Sequence, residues 1–473
     1  SQVGARAMAG DQKTAYGTWS EAVLPTRDVP EVDYSSAGAW KRPLRRTVVA
    51  LMAFGAMTAL VAVASSSVGG RVSESSESSA MLSERPEGLE LSSETSETST
   101  TPNIILYTID DMGWNDIGYN SMDLPHATDF MNSMAEDGIV LTHYYTQPSC
   151  TPSRSTIMSG KFVHKTGYQN LEIQHNYPLG MPISFKLLPE HMKGLDYRTY
   201  GYGKWNIGHC NEQYMPHWRG FEKFLGYNCP GHGYRDFNCG MDAGVRDMVE
   251  AWQSENSSTG EVTYHWRLAK ELLGIYDTEL YRNTLNEDLR SHHENHPHQP
   301  FFMWIAHHGV HGTEDSEPQP PDTLLTLENK EYLESLDVFD VHNSTFWKKR
   351  KITATLLMSV DNALRDTVHV LTELGILDNT VIVVHSDNGG DPNYMQGHPG
   401  NNAPLRGEKF FYLEGGIRVP AFVYAPGIIP KDLWGTEYTH MLHHVDLLTT
   451  FVALGGGDAL AEDPTLDGIN FWP

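Results

Sequence analysis

Two acidic pairs and one cysteine stand out in this chain as residues whose type and setting suit chemistry. Asp110-Asp111 follows directly on the apolar run Asn103-Ile104-Ile105-Leu106-Tyr107-Thr108-Ile109, and Asp387-Asn388, ahead of Gly389-Gly390, follows a second such run at 381–386. Three carboxylates and one amide oxygen suit a hard divalent cation, and a set without His or Cys favours Ca²⁺ or Mg²⁺ over Zn²⁺. Taken singly, each pair reads as a helix cap or a turn. Two pairs ending two buried strands make metal binding the stronger reading, because ligands bind beyond the carboxyl ends of strands in an open α/β sheet.

Cys150 lies in Ser149-Cys150-Thr151-Pro152-Ser153-Arg154-Ser155, ahead of a helix-compatible stretch at 153–158. That puts it at a helix N-terminus, where backbone N–H groups and the dipole favour an anion. A structural cysteine and a simple thiolate nucleophile are the other readings of the residue itself; no Cys-protease or redox signature accompanies it.

The elements that must hold these groups follow from periodicity. Apolar runs at 103–109, 301–306, 381–384 and 421–424 alternate with helical patterns at 354–377 and 443–454, which predicts an α/β sheet with helices on its faces. Residues 1–40 are polar and predict a disordered tail. Lys41, Arg42, Arg45 and Arg46 precede an uncharged apolar run at 48–64, a signal-anchor helix by length and flank, with the tail cytosolic and the rest lumenal. Cleavage at Ala62-Val63-Ala64 as a signal peptide is the alternative, and gives the same compartment. Residues 65–101 are a Ser/Glu-rich stalk, and 102–473 the folded domain.

Cys150-Thr151-Pro152-Ser153-Arg154 matches the C-x-P-S-R signature of type I, formylglycine-dependent sulfatases, and the chain from Pro102 onward resembles arylsulfatase B-like enzymes. The resemblance extends through 110–116, 144–148, 203–205, 387–390 and 404–420. It implies an alkaline phosphatase-like fold with a large mixed, mostly parallel sheet flanked by helices, the smaller C-terminal domain being largely absent. It also implies that Cys150 is oxidised to formylglycine by a formylglycine-generating enzyme, and that Asp110, Asp111, Asp387 and Asn388 hold one Ca²⁺. Asp387 would accept the attacking hydroxyl's proton, and Arg154 would steady the aldehyde hydrate. Lys204 and Lys409 would contact sulfate oxygens, and His311 would help protonate the departing oxygen. His307 and His308 are expected to be structural or surface residues. Cys229 and Cys239 resemble a family disulfide, leaving Cys210 over.

One position departs from the pattern: the family's Gly-Lys-Trp-His is Gly203-Lys204-Trp205-Asn206 here, and Asn cannot take up a proton near neutral pH. His209 is the nearest replacement along the chain.

The expected activity is hydrolysis of aryl or carbohydrate sulfate esters. A non-catalytic sulfated-glycan-binding relative is one alternative, and a phosphatase or phosphodiesterase on the same fold is the other, disfavoured by Cys150 and an all-oxygen metal set. The net charge of -26 excludes nucleic acid as a natural partner. Four cysteines in 473 residues exclude a disulfide scaffold. Asn256-Ser257-Ser258 and Asn343-Ser344-Thr345 are glycosylation sequons in the lumenal segment.

Overall fold

A strand buried on both faces reads as an unbroken apolar run, and four of those found here do so. This computed structural model describes residues 101–169, 172–239, 244–313, 327–336, 345–392 and 400–472. Its strands are β1 (Asn103–Ile109), β2 (Ile139–Leu141), β3 (Tyr144–Tyr145), β4 (Arg198–Lys204), β5 (Lys223–Tyr227) and β6 (Val249–Glu255). They continue with β7 (Val262–Leu268), β8 (Phe301–His307), β9 (Thr380–Ser386), β10 (Ala421–Tyr424), β11 (Thr436–Tyr438) and β12 (Leu442–His443).

Ten of them make one sheet in the order β11-β2-β10-β9-β1-β8-β4-β5-β6-β7, while β3 and β12 pair separately. The central strands β9, β1, β8, β4 and β5 run parallel, and β10 and the β6–β7 hairpin join antiparallel. This is the mixed, mostly parallel α/β sheet expected from the sequence. Ile109 pairs with both His307 and Ser386, and Gly203 with Ala306, so four neighbouring strands end together along one edge.

Side-chain alternation divides the interior into two cores. Ile105, Tyr107 and Ile109 of β1 enter one, with Met303, Ile305, Ile382 and Val384. Ile104 and Leu106 enter the other, with Phe302, Trp304, Val381 and Val383. Helices Asp277–Asn295 and Thr345–Glu373 cover the first face through Leu285, Leu289, Leu357 and Leu364. Helices Cys150–Ser159, Leu188–Gly194 and Asp446–Leu454 cover the second through Ile157, Leu188 and Phe451. Each fully buried aliphatic side chain contributes about 1.5–3 kcal/mol, which anchors the strand ends against the site they carry.

The tail at 1–40, the basic flank and apolar run at 41–64, the stalk up to residue 100, and Asn343-Ser344 lie outside the described residues. Among the described residues no helix is long and apolar enough to cross a membrane. Asn256 of the other sequon is exposed beside the turn between β6 and β7.

Candidate active site

Each parallel strand delivers its groups to the shared edge. Beyond β1 come Asp110 and Asp111, beyond β9 come Asp387 and Asn388, β4 ends in Lys204, and the turn after β8 carries His311. Asp111 adopts φ 63°, a left-handed conformation that Asp tolerates better than most residues and that turns the chain sharply after the strand. Gly203 is required where it stands, because a Cβ there would lie 1.9 Å from the Ala306 carbonyl oxygen of the adjoining strand.

The structure brings nine of the ten predicted site residues into one buried network. Lys204 Nζ lies 2.7 Å from Asp110 Oδ2, Lys409 Nζ 2.8 Å from Asp111, and Arg154 Nη2 2.8 Å from Asp387 Oδ2 and 3.4 Å from Asp110 Oδ2. Asn388 Nδ2 donates to Asp111 Oδ1 at 2.6 Å, and its own Oδ1 is buried without a hydrogen-bond partner. The Asp111 backbone N–H donates to Asp387 Oδ1 at 3.2 Å. Cys150 opens the helix Cys150–Ser159, as expected, with Sγ 3.5 Å from Asp110 Oδ1.

Electrostatics separate the groups. Burial, then the repulsion of neighbouring carboxylates, holds Asp111 and Asp387 above the ordinary carboxylate range despite the nearby cations. Burial pulls Lys204 and Lys409 down, but the surrounding anionic groups, led by Asp110 and Asp111 respectively, together outweigh it and keep both as ammonium ions. Burial and the Asp110 charge push the Cys150 thiol well up, which disfavours a ready thiolate. Burial and the two lysines depress His311. Its Nδ1–H donates to Gly312 O at 2.7 Å, which leaves Nε2, 3.8 Å from Asp111 Oδ2, directed at the network.

The donor set fits a hard cation. Three buried carboxylates crowd together, two of them driven up by burial and mutual repulsion, beside an amide oxygen without a partner. Ligand atoms of Asp110, Asp111, Cys150 and His311 lie within 4.8 Å of one another. Three cations and three carboxylates balance, so a divalent ion would make the site net positive and receptive to an anion.

Asn206 is the residue that stands aside. Its Oδ1 accepts from Thr151 Oγ1 at 2.8 Å, and its Nδ2 donates to Ile173 O at 3.0 Å and points to Asn228 O at 3.4 Å. It therefore braces the residue next to Cys150. His209 Nε2 bonds to the His175 carbonyl at 2.9 Å, so the ring is engaged with the loop that precedes the helix Leu188–Gly194. Cys229 and Cys239 form the expected disulfide, and Cys210 is free and exposed. His307 and His308 are both buried, and His308 meets Asp277 and His232, two residues that no motif singled out.

The sulfatase family profile matches residues 102–457. The chain belongs to the sulfatase family. Mouse arylsulfatase J is 30% identical over 404 residues, covering 83% of this chain and 58% of that protein. Human N-acetylgalactosamine-6-sulfatase is 27% identical over 387 residues, covering 79% and 65% respectively. The chain thus spans less than two thirds of the length of these curated relatives. Among solved structures, Ps i-CgsB in complex with k-i-k-neocarrahexaose superimposes with a TM-score of 0.63 at 27% identity, covering 79% of this chain and 76% of that one. The sulfatase fold expected from the motifs is thereby established.

Proposed function

We propose that this sulfatase-family chain hydrolyses sulfate esters of carbohydrates, with a nucleophile made from Cys150 and one Ca²⁺ held by Asp110, Asp111, Asp387 and Asn388. The observation that carries the reading is the setting of Cys150. It lies at a helix N-terminus, 3.5 Å from Asp110, in a network holding three buried cations and three buried carboxylates. A thiol kept protonated in such surroundings is a poor nucleophile, which favours its replacement by formylglycine, whose hydrated aldehyde supplies the attacking hydroxyl. Ca²⁺ at the carboxylates supplies charge neutralisation and polarisation of the sulfate.

The chain's own residues divide the remaining work. Asp387, held above the usual carboxylate range, accepts the proton of the attacking hydroxyl. Arg154, bonded to Asp387, holds that carboxylate and the hydrate in register. Lys204 and Lys409 stabilise charge on the sulfate oxygens. The arriving sulfate offsets the two lysines, which lets His311 Nε2 carry the proton it hands to the departing oxygen. Asn206 acts through Thr151 and not as a base.

The substrate class is a sulfated sugar, supported by the sugar named in the complex of the related Ps i-CgsB, with aryl sulfates as surrogates. Maturation by a formylglycine-generating enzyme requires the secretory pathway, and the run at 48–64 would serve as the membrane anchor or a cleaved signal.

The test is peptide mass spectrometry of Cys150 in protein secreted from a eukaryotic host, together with hydrolysis of a chromogenic aryl sulfate with and without Ca²⁺. Formylglycine with Ca²⁺-dependent hydrolysis is the expected result. An unmodified Cys150 in folded protein overturns the mechanism and brings forward the non-catalytic glycan-binding reading.

A further inference from the structure

Asp277 is a buried carboxylate to which the chemistry above gives no part. It opens the helix Asp277–Asn295, and its Oδ2 accepts from both His308 Nδ1 at 2.9 Å and His232 Nε2 at 3.0 Å. Burial alone would raise its pKa, but the hydrogen bonds and charge interactions of the two histidines together outweigh that and hold it down to about 2. The group is therefore a permanent anion fixed between two loops.

Both loops lead to His311. His308 is three residues before it, and the His308 carbonyl accepts the His311 backbone N–H at 2.8 Å. The Asp277 backbone N–H donates to Tyr234 O at 2.9 Å, and Tyr234 Oη donates to His311 O at 2.8 Å. The third connection is steric. Gly231, next to His232, lies so close to the His311 ring that a Cβ there would meet Cε1 at 2.8 Å and Nδ1 at 3.1 Å. The loop carrying Gly231, His232 and Tyr234 is closed by the Cys229–Cys239 disulfide, so its backbone makes a fixed seat for the ring.

We propose that Asp277 is a positioning residue for His311: it fastens the loop that seats the imidazole and the turn that carries it, and so sets where Nε2 meets the departing oxygen. Nothing in this role brings Asp277 into contact with substrate. The inference rests on the sulfatase reading and on His311 as the proton donor. It predicts that damage to the seat appears where proton donation matters most, in esters of poorly acidic alcohols and phenols. Esters of acidic phenols leave without help and should be spared.

The experiment compares wild type, Asp277→Asn, Tyr234→Phe and Gly231→Ala on a series of aryl sulfates of graded phenol acidity, with His311→Ala as reference. The slope of log kcat/KM against leaving-group pKa is the readout, and thermal unfolding of each variant is followed alongside. Asp277→Asn and Gly231→Ala should steepen the slope toward that of His311→Ala. They should lose on the order of 10²-fold on the least acidic leaving group and under about threefold on the most acidic. Tyr234→Phe removes one hydroxyl, so it keeps the test open if Asp277→Asn fails to fold; it should move the slope the same way by a smaller step. An equal loss across the series, or no loss, overturns the positioning role while leaving the sulfatase reading intact. A wild-type protein inert on every ester overturns the sulfatase reading instead.

Discussion

Arg154 and Asp387, 233 residues apart in sequence, are joined by a 2.8 Å bond between Nη2 and Oδ2, and neither side chain is exposed to solvent. A second nitrogen of the same guanidinium, Nη1, donates to the Lys204 carbonyl at 2.6 Å, so one side chain ties the helix of Cys150 to the ends of two strands. Removing such a partner leaves a buried charge uncompensated. Arg154→Gln should cost about 3–5 kcal/mol in metal-free protein, read by urea denaturation, and should abolish aryl sulfate hydrolysis.

Chelation should separate fold from function. EGTA treatment is expected to abolish hydrolysis while leaving the far-ultraviolet circular dichroism unchanged, because the two apolar cores do not depend on the ion. Ca²⁺ returned at 100 times its Kd should restore activity and add about 2.7 kcal/mol to unfolding stability. Activity that survives complete chelation would remove the metal from the proposal.

Asn206 offers a backbone test. Its φ of 52° is costly for Ala and free for Gly, and its side chain satisfies Thr151 and the Ile173 carbonyl. Asn206→Ala should therefore destabilise by roughly 2–4 kcal/mol, and Asn206→Gly by about 1 kcal/mol less. Equal losses in thermal melts would show that the left-handed turn carries no strain.

Stability should also depend on pH through Asp361 on the helix Thr345–Glu373. Burial raises its carboxyl to about 7, although it accepts the Phe130 and Met131 backbone N–H groups at 3.1 and 2.8 Å. The unfolded carboxyl ionises near pH ~4, so the folded state holds the proton more tightly. The resulting stabilisation is complete below about pH 4 and is lost as pH rises through about 7. Asp361→Asn should flatten this part of the curve, which in wild type falls by no more than about 1.4 kcal/mol per pH unit. Chemical denaturation at a series of pH values reads it directly.

Legibility in the sequence followed burial. The bounds of β1 and β10 coincide with their apolar runs, and β8 and β9 extend theirs by a residue or two at the ends. The Arg198–Lys204 strand was not anticipated, since two glycines and a polar start hide a segment that is buried almost throughout. The β6–β7 hairpin was also missed, although Val262, Tyr264, Trp266 and Leu268 alternate with Thr263, His265 and Arg267 at strand period; much of β7 is exposed, so it lacks the unbroken apolar run by which the buried strands were read. At the site, strand-end carboxylates were visible because position on a parallel strand dictates direction. Asp277, His232 and Tyr234 were not, because their bearing on His311 exists only after distant loops meet.

Cys150 is 1% exposed in the finished fold, sealed beneath the carboxylates it faces. An enzyme acting on that thiol has no access to it once β1, β4 and β9 have closed around the helix. On the proposed chemistry, maturation and folding therefore run as a race along the nascent chain, and a molecule that folds first is locked out of activity for as long as it stays folded. Specific activity would then record the outcome of that race as well as the quality of the site. Substitutions that slow closure of the sheet could yield less protein, yet a larger active fraction of it.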